Sequence, residues 1–321
     1  MRSLRNIIGL LILLMLTVLV SVIYINQQIE TTVANRLRVG TTYMTMNNPF
    51  YEVINAEIEK EITEQGGAVF TRDPALSSKK QVEQIQYFID QEMDVIILNP
   101  VKSDDVAIKR MVQKAEKSGI KVIVVDSQLS DKVAVTSTIV SDNYQAGALL
   151  AEDLKSRKDK ADILILEHRD AVSGNQRIKG FTDNIASDKR FRIVSKEESL
   201  GQTEVAMPVV ERVLQSGKSF DVVMALNDLA AIGAVAALDK NDIEKSVLIY
   251  GVDGAPDMKN LLATTDDVTA TVAQSPLAMG HKAAQLALMI SKGKTVDSKV
   301  VIPVTLITKK SIGNYDLRGW Q

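Results

Sequence analysis

Eight short runs rich in β-branched and aliphatic residues recur along this chain at intervals of about 26 to 40 residues, each followed by a stretch whose apolar positions have helical spacing. They are Leu37 to Tyr43, Ala68 to Thr71, Asp94 to Asn99, Lys121 to Asp126, Asp162 to Glu167, Phe191 to Ser195, Asp221 to Leu226 and Val247 to Gly251. Val95-Ile96-Ile97-Leu98 and Val122-Ile123-Val124-Val125 are continuously apolar rather than alternating. A strand needs that composition when both its faces are buried, which is the situation in a parallel sheet covered by helices. The fold class expected is therefore α/β.

Helix signals fall where such a fold needs them. Pro49 follows Asn48 at a first-turn position, and Gly66-Gly67 ends that helix. Ser103 or Asp104 can cap the segment that runs to Gly119, and Asp142 or Asn143 the one that begins at Tyr144. Nearly 300 residues of such units exceed what one core usually holds, so two Rossmann-like lobes are expected, dividing near Ser137 to Ser141. An apolar helical stretch, Ala278 to Ile290, and a last strand, Val300 to Thr308, return partly to the first lobe. The expected division is 36–140 plus about 275–303 for the N-terminal lobe and 141–274 plus about 304–321 for the C-terminal one. No Gly-, Pro- or Ser-rich linker separates them, which points to several short crossings and a hinge.

Ahead of these units, Ile7 to Ile25 is a charge-free apolar run of 19 residues, close to the roughly 20 a helix needs to span a bilayer. Arg2 and Arg5 precede it and no Lys or Arg follows until Arg36, which places the N-terminus in the cytoplasm and the lobes outside. The run is longer than a signal-peptide core, and Tyr24-Ile25-Asn26-Gln27-Gln28 has no small-x-small cleavage site. Residues 1–35 are thus expected to form an uncleaved, single-pass anchor spanning with 7–25, and the binding domain to face the extracytoplasmic side of the cell membrane. The chain has no cysteine, hence no lipidated Cys, disulfide, thiolate metal ligand or Cys nucleophile. Lys+Arg 38 against Asp+Glu 40 leaves a net charge of -2, and no basic run exceeds a pair, which argues against nucleic acid as a partner.

Ligands of open parallel sheets bind beyond the C-terminal ends of strands. The residues there are polar or aromatic: Asn48, Phe50 and Tyr51 after the first strand, Asp126 after the fourth, Asn227 after the seventh and Asp253 after the eighth. Arg177, opening Arg177-Ile178-Lys179-Gly180-Phe181, and Gln274, ending Val272-Ala273-Gln274, complete the set. Carboxylates accept paired hydroxyl hydrogen bonds, guanidinium and amide groups donate to hydroxyl or ring oxygens, and aromatic faces cover the C–H surface of a sugar ring. A neutral polyhydroxy ligand satisfies such a set. Each residue also has a structural explanation: Asn48 as a helix cap, Asp126 and Asp253 as caps or lobe-to-lobe ion pairs, Phe50 and Tyr51 as core, Arg177 as a hinge salt bridge, Asn227 and Gln274 as turn residues.

At these residues the chain resembles the ribose-type periplasmic sugar-binding proteins, the class I substrate-binding proteins of ABC transporters. The likeness covers Arg36 to Thr308 and rests on Asn47-Asn48-Pro49-Phe50-Tyr51, Ile97-Leu98-Asn99-Pro100, Val125-Asp126-Ser127, Ser141-Asp142-Asn143, Arg177-Ile178-Lys179-Gly180-Phe181, Asn227-Asp228, Gly251-Val252-Asp253-Gly254 and Ala273-Gln274-Ser275-Pro276. The resemblance implies two Rossmann-like lobes, three hinge crossings and a monosaccharide clasped by Asn48, Phe50, Tyr51, Asp126, Arg177, Asn227, Asp253 and Gln274. It also implies an ABC permease as partner, or, as membrane-anchored relatives do, the ectodomain of a sensor histidine kinase in a two-component system. Three positions depart from the ribose binder: Ser127 replaces an Arg, Gly201 or its neighbour a stacking Phe, and Val252 another Phe. Ribose itself is thereby placed in doubt against another pentose, a hexose or a modified sugar. The resemblance extends to LacI-type repressors, but an apolar run stands where those carry a helix-turn-helix.

No enzyme is expected and no cofactor is called for. His168 and His281 are the two imidazoles, and neither a G-x-S-x-G elbow nor a G-x-G-x-x-G fingerprint is present. His168 reads as a satisfied loop or hinge residue, His281 as a helix residue, and no cluster has metal-ligand spacing in sequence.

Overall fold

The computed structural model describes residues 14–24, 36–130, 133–241 and 247–321. From Arg38 on, the chain builds two lobes, each a six-stranded sheet covered by helices. The first has the order β11-β5-β4-β3-β1-β2, with β1 Arg38–Thr42, β2 Ala68–Arg72, β3 Val95–Leu98, β4 Lys121–Val125, β5 Ser137–Ser141 and β11 Lys299–Ile302, all pairs parallel. The second has the order β12-β10-β9-β8-β6-β7, with β6 Ala161–Glu167, β7 Phe191–Glu198, β8 Val222–Ala225, β9 Leu248–Asp253, β10 Ala270–Ala273 and β12 Thr305–Thr308. Its one antiparallel pair is β10 with β12. The intervening helices are α1 Pro49–Glu64, α2 Ser78–Asp90, α3 Val106–Lys117, α4 Asn143–Arg157, α5 Val172–Ile185, α6 Thr203–Gln215, α7 Asp228–Lys240, α8 Pro256–Thr264 and α9 Pro276–Ser291.

The strands are apolar throughout because both faces of each sheet are covered. Along β6, Ile163 and Ile165 join the core beneath α4 and α5, while Leu164 and Leu166 join the core beneath α6 and α7. Each such aliphatic side chain removed from water contributes about 1.5–3 kcal/mol. In the first lobe Val39, Ile54, Ile58, Phe88, Ile97 and Val124 are all essentially inaccessible, and Met279, Ala283 and Ala287 of α9 complete that core. A residue sequence from β10 onward thus packs on the first lobe before β12 returns to the second. The chain passes between sheets three times: after β5, after β10, and between Ile302 and Thr305.

Several sequence expectations change here. Ser137–Ser141, where the division was expected, is itself the last strand of the first sheet before the chain crosses, and Ala270–Ala273 is a further strand; both are short and flanked by polar residues, which hid them. The expected strand Val300 to Thr308 is two, one in each sheet, broken at Pro303. Helix α3 is capped by Asp105, whose carboxylate accepts from the N–H groups of Ala107 and Ile108, not by Ser103 or Asp104. Of the expected membrane span 7–25, residues 7–13 and 25 lie outside the described residues. Residues 14–24 form one helix with every side chain exposed. Among the described residues no helix is long and apolar enough to cross a membrane.

Two close approaches fix the parts that matter for the cavity described next. Helices α4 and α5 cross so tightly at Gly147 and Gly180 that a Cβ there would lie 1.9 Å from the Arg177 carbonyl oxygen and 2.0 Å from that of Tyr144. The C-terminal tail ties the lobes together. Lys259 of α8 donates to the carbonyls of Asp316 and Gly319 in the second lobe, and Trp320 packs edge-on against Phe50 of the first, centroids 5.7 Å apart.

Candidate functional site

In each sheet the strand order reverses beside the first strand of its lobe, β1 in one and β6 in the other, and a cavity lies between the lobes beyond the C-terminal ends of both. All eight residues singled out in the sequence line it: Asn48, Phe50, Tyr51, Asp126, Arg177, Asn227, Asp253 and Gln274. None is more than 7 % exposed.

From the first lobe, Asn48 caps α1, its side-chain oxygen accepting from Phe50 N at 3.0 Å, so it is a cap as well as a wall residue. Phe50 and Tyr51 follow in the first turn of α1 and meet edge-to-face at 5.6 Å, while Tyr51 stacks on the buried Tyr43 at 5.7 Å. Tyr51 Oη donates to Asp126 Oδ2 at 3.0 Å, and Asn99, at the end of β3, donates to the same oxygen at 3.2 Å. Asp126 has a φ of 61°, a left-handed conformation that costs a non-glycine residue about 1 kcal/mol or more and is held only where the surroundings impose it.

From the second lobe, Arg177 of α5 crosses the cavity. Its Nε donates to Asn143 Oδ1 at 2.7 Å and its Nη1 to the Leu226 carbonyl at 3.0 Å. Its guanidinium lies 3.6 Å from both Asp126 Oδ1 and Asp253 Oδ1, a distance for ion pairing rather than a hydrogen bond. Asp253, at the end of β9 with φ 144°, accepts from Gln274 Nε2 at 2.7 Å. Gln274 lies in the crossing after β10, and its Oε1 is buried without a hydrogen-bond partner in the protein. Asn227 caps α7 through Ala230 N and donates to the Gly201 carbonyl.

Two cavity carboxylates face one guanidinium, and the electrostatics follow. Burial pushes Asp253 up to about 8, Arg177 opposing the rise and Asp228 adding to it. Burial also raises Asp126, against the pull of Arg177 and the hydrogen bonds from Tyr51 and Asn99. Behind the wall, burial lifts Asp228 to about 6 despite hydrogen bonds from Thr271 and the Ala255 amide. The closed cavity therefore has unfilled acceptor capacity at Asp253 and Gln274, a fixed donor at Arg177, and two aromatic rings. Chemically, that set offers hydrogen-bond acceptors, a cationic donor and apolar ring faces side by side.

The sequence missed some of the wall. His168, read as a loop or hinge histidine, lines the cavity, and burial lowers its pKa, favouring the uncharged ring. Asn143, read as a cap, instead holds Arg177, while Asp142 caps α4. Of the departures noted in the sequence, Leu200, Gly201 and Gln202 do line the cavity, whereas Val252 is buried in the second-lobe core and Ser127 is fully buried outside the cavity wall. Away from the cavity, Glu57 and Glu61 of α1 and His281 of α9 bring possible ligand atoms within 4.8 Å of one another, a surface grouping that spacing in sequence does not reveal because 220 residues separate His281 from Glu61.

A model of the periplasmic binding protein domain matches residues 39–295. The ribose import binding protein of Bacillus subtilis is 32% identical over 276 residues, covering 85% of this chain and 87% of its own. The D-apiose import binding protein of Paraburkholderia graminis is 29% identical over 277 residues, 84% of this chain and 87% of its own. Among solved structures, an ABC transporter solute binding protein from Mycobacterium smegmatis with bound glycerol superposes with a TM-score of 0.81 at 26% identity, covering 87% of this chain and 96% of that one.

Proposed function

We propose, from the premise that this chain belongs to the periplasmic binding protein domain family, that it is an extracytoplasmic monosaccharide-binding protein that closes on its ligand and presents it to an ABC sugar transporter. The observation that carries this is the convergence of eight polar and aromatic residues, from strand ends, helix starts and a crossing, on one cavity between the lobes. Ligand groups touched from both sides favour the closed form by the binding free energy they gain there, and a partner reads that form. Arg177 donates to ring or hydroxyl oxygens, Asp126, Asp253 and Gln274 accept from hydroxyls, Phe50 and Tyr51 cover the C–H face, and Asn48 and Asn227 edge the ligand. The related import proteins are named for ribose and apiose, which makes pentoses the first ligands to try. With Ser127 withdrawn from the wall, ribose itself loses one guanidinium contact that the ribose binder supplies.

A second reading, a membrane-anchored sugar sensor that regulates a histidine kinase, draws on the apolar run at the N-terminus. Leu14, Met15, Val18 and Leu19 on the described helix 14–24 are more than half exposed, apolar surface that a lipid bilayer would cover.

Calorimetric titration of the full-length chain in detergent with D-ribose, D-apiose, D-xylose, D-allose and myo-inositol tests the first claim. At least one is expected to bind at micromolar concentration or better, and silence across the panel sinks the sugar reading. Copurification with the permease or with a kinase ectodomain separates uptake from sensing.

A further inference from the structure

Helix α5 carries Arg177, yet it has no cap of its own: its N-cap residue is Ala171, without a side-chain hydrogen bond. Its first N–H groups find their acceptors in the other lobe. Val172 N donates to Ser103 Oγ at 3.1 Å and Ser173 N to Ser127 Oγ at 3.2 Å. Ser103 follows β3 and Ser127 follows β4, both are buried, and their hydroxyls touch each other at 3.3 Å. The same junction is fastened by Ser103 N to the Asp170 carbonyl at 2.8 Å and by Lys102 Nζ to Asp170 Oδ2 at 2.8 Å. In α1, α2, α3, α4, α7 and α9 the capping side chain lies next to the helix in sequence.

We propose that Ser103 and Ser127 are positioning residues that cap α5 across the cleft, so that closure itself completes the helix that aims Arg177 at the ligand. This rests on the sugar-binding reading and gives a role to Ser127, at a position singled out as a departure, which does not itself line the cavity but holds the N–H of Ser173, which does. The logic is that of N-capping. Helix-terminal N–H groups left without acceptors are tolerable while water reaches them and costly once buried. With the lobes apart, water serves Val172 N and Ser173 N. With the lobes together, water is excluded and only the two hydroxyls remain. Alanine at either position therefore penalises the closed form and leaves the open form untouched.

The full-length chain and its S103A, S127A and double variants are titrated with D-ribose, D-apiose and myo-inositol, and the compound that wild type binds carries the comparison. Each single replacement is expected to weaken affinity about 5-fold and the pair about 30-fold, the cost of one and two N-caps. The loss appears as faster release with an unchanged association rate, and the ligand-free melting temperature stays within a degree or two of wild type. Unchanged affinity in the double variant overturns the proposal, as does a loss that lies wholly in ligand-free stability.

A second arm needs no sugar. The chain lacks cysteine, and Asn47 Nδ2 lies 3.4 Å from Glu204 Oε1 across the cleft mouth, so N47C/E204C joined by a short bis-maleimide locks the lobes together. In the locked protein, Val172 and Ser173 amides are expected to exchange slowly with both serines present and at least tenfold faster in S103A/S127A. Equal protection overturns the proposal. If no compound binds wild type while the locked comparison shows the difference, the sugar reading fails and the cross-lobe cap stands.

Discussion

Arg177 is held by the protein from three directions: Asn143 fixes Nε, the Leu226 carbonyl fixes Nη1, and Asp126 and Asp253 flank the guanidinium. Replacing it with Ala leaves two buried carboxylates without their cation and removes the donor that points into the cavity. Sugar affinity is expected to fall roughly 100-fold or more, read by calorimetry, as hydrogen bonds to charged groups are worth about 1.5–3 kcal/mol each. Asp253 predicts a pH effect with a definite sign. Its folded pKa, about 8, stands above the ordinary carboxylate value, so the native state keeps a proton that the unfolded chain releases. Ligand-free stability therefore falls as pH rises from about 4 through about 8. Asp126 and Asp228 shift in the same direction and steepen that fall. Denaturant melts from pH 5 to 9 are expected to show a shallower decline for Asp253→Asn than for wild type; parallel slopes would refute this assignment. At this scale the strand-end rule pointed to Asn48, Phe50, Tyr51, Asp126, Asn227 and Asp253, all of which line the cavity, as do Arg177 and Gln274, which were added to that set from their own segments. It missed His168 and Asn143, because a histidine after a strand and an asparagine at a helix start have common structural uses that nothing local distinguishes.

At the scale of elements, the crossing of α4 and α5 sets where Arg177 points. Gly147 and Gly180 let the two backbones meet, and a methyl at Gly180 would strike the Tyr144 carbonyl. Gly180→Ala is expected to destabilise the protein by about 1–3 kcal/mol, the usual cost of overpacking, and to weaken sugar binding together with stability because α5 must shift. Chemical denaturation paired with calorimetry checks both. Strands β1, β3, β4, β6, β8 and β9 were legible as apolar runs because burial on two faces demands such runs. The polar-flanked β5 and β10 were not, since Ser137, Ser141 and Thr271 are buried yet polar. The split of 299–308 between sheets depends on which lobe each half meets, and no local pattern encodes that.

For the molecule as a whole, the two-lobed α/β architecture followed from the repeat of units, while the contacts that close the cleft did not, because they join residues far apart in sequence. Small-angle scattering of the full-length chain is expected to show a smaller radius of gyration with bound sugar, and an unchanged profile would argue against closure as the signal. The tail that runs from the second lobe back to the first carries the chain's single tryptophan, seated on Phe50 in the cavity wall. Ligand that presses on that ring also changes the surroundings of the indole. Its emission should shift in wavelength or intensity as sugar is added, a built-in optical gauge of occupancy that requires no dye and that Trp320→Phe would extinguish.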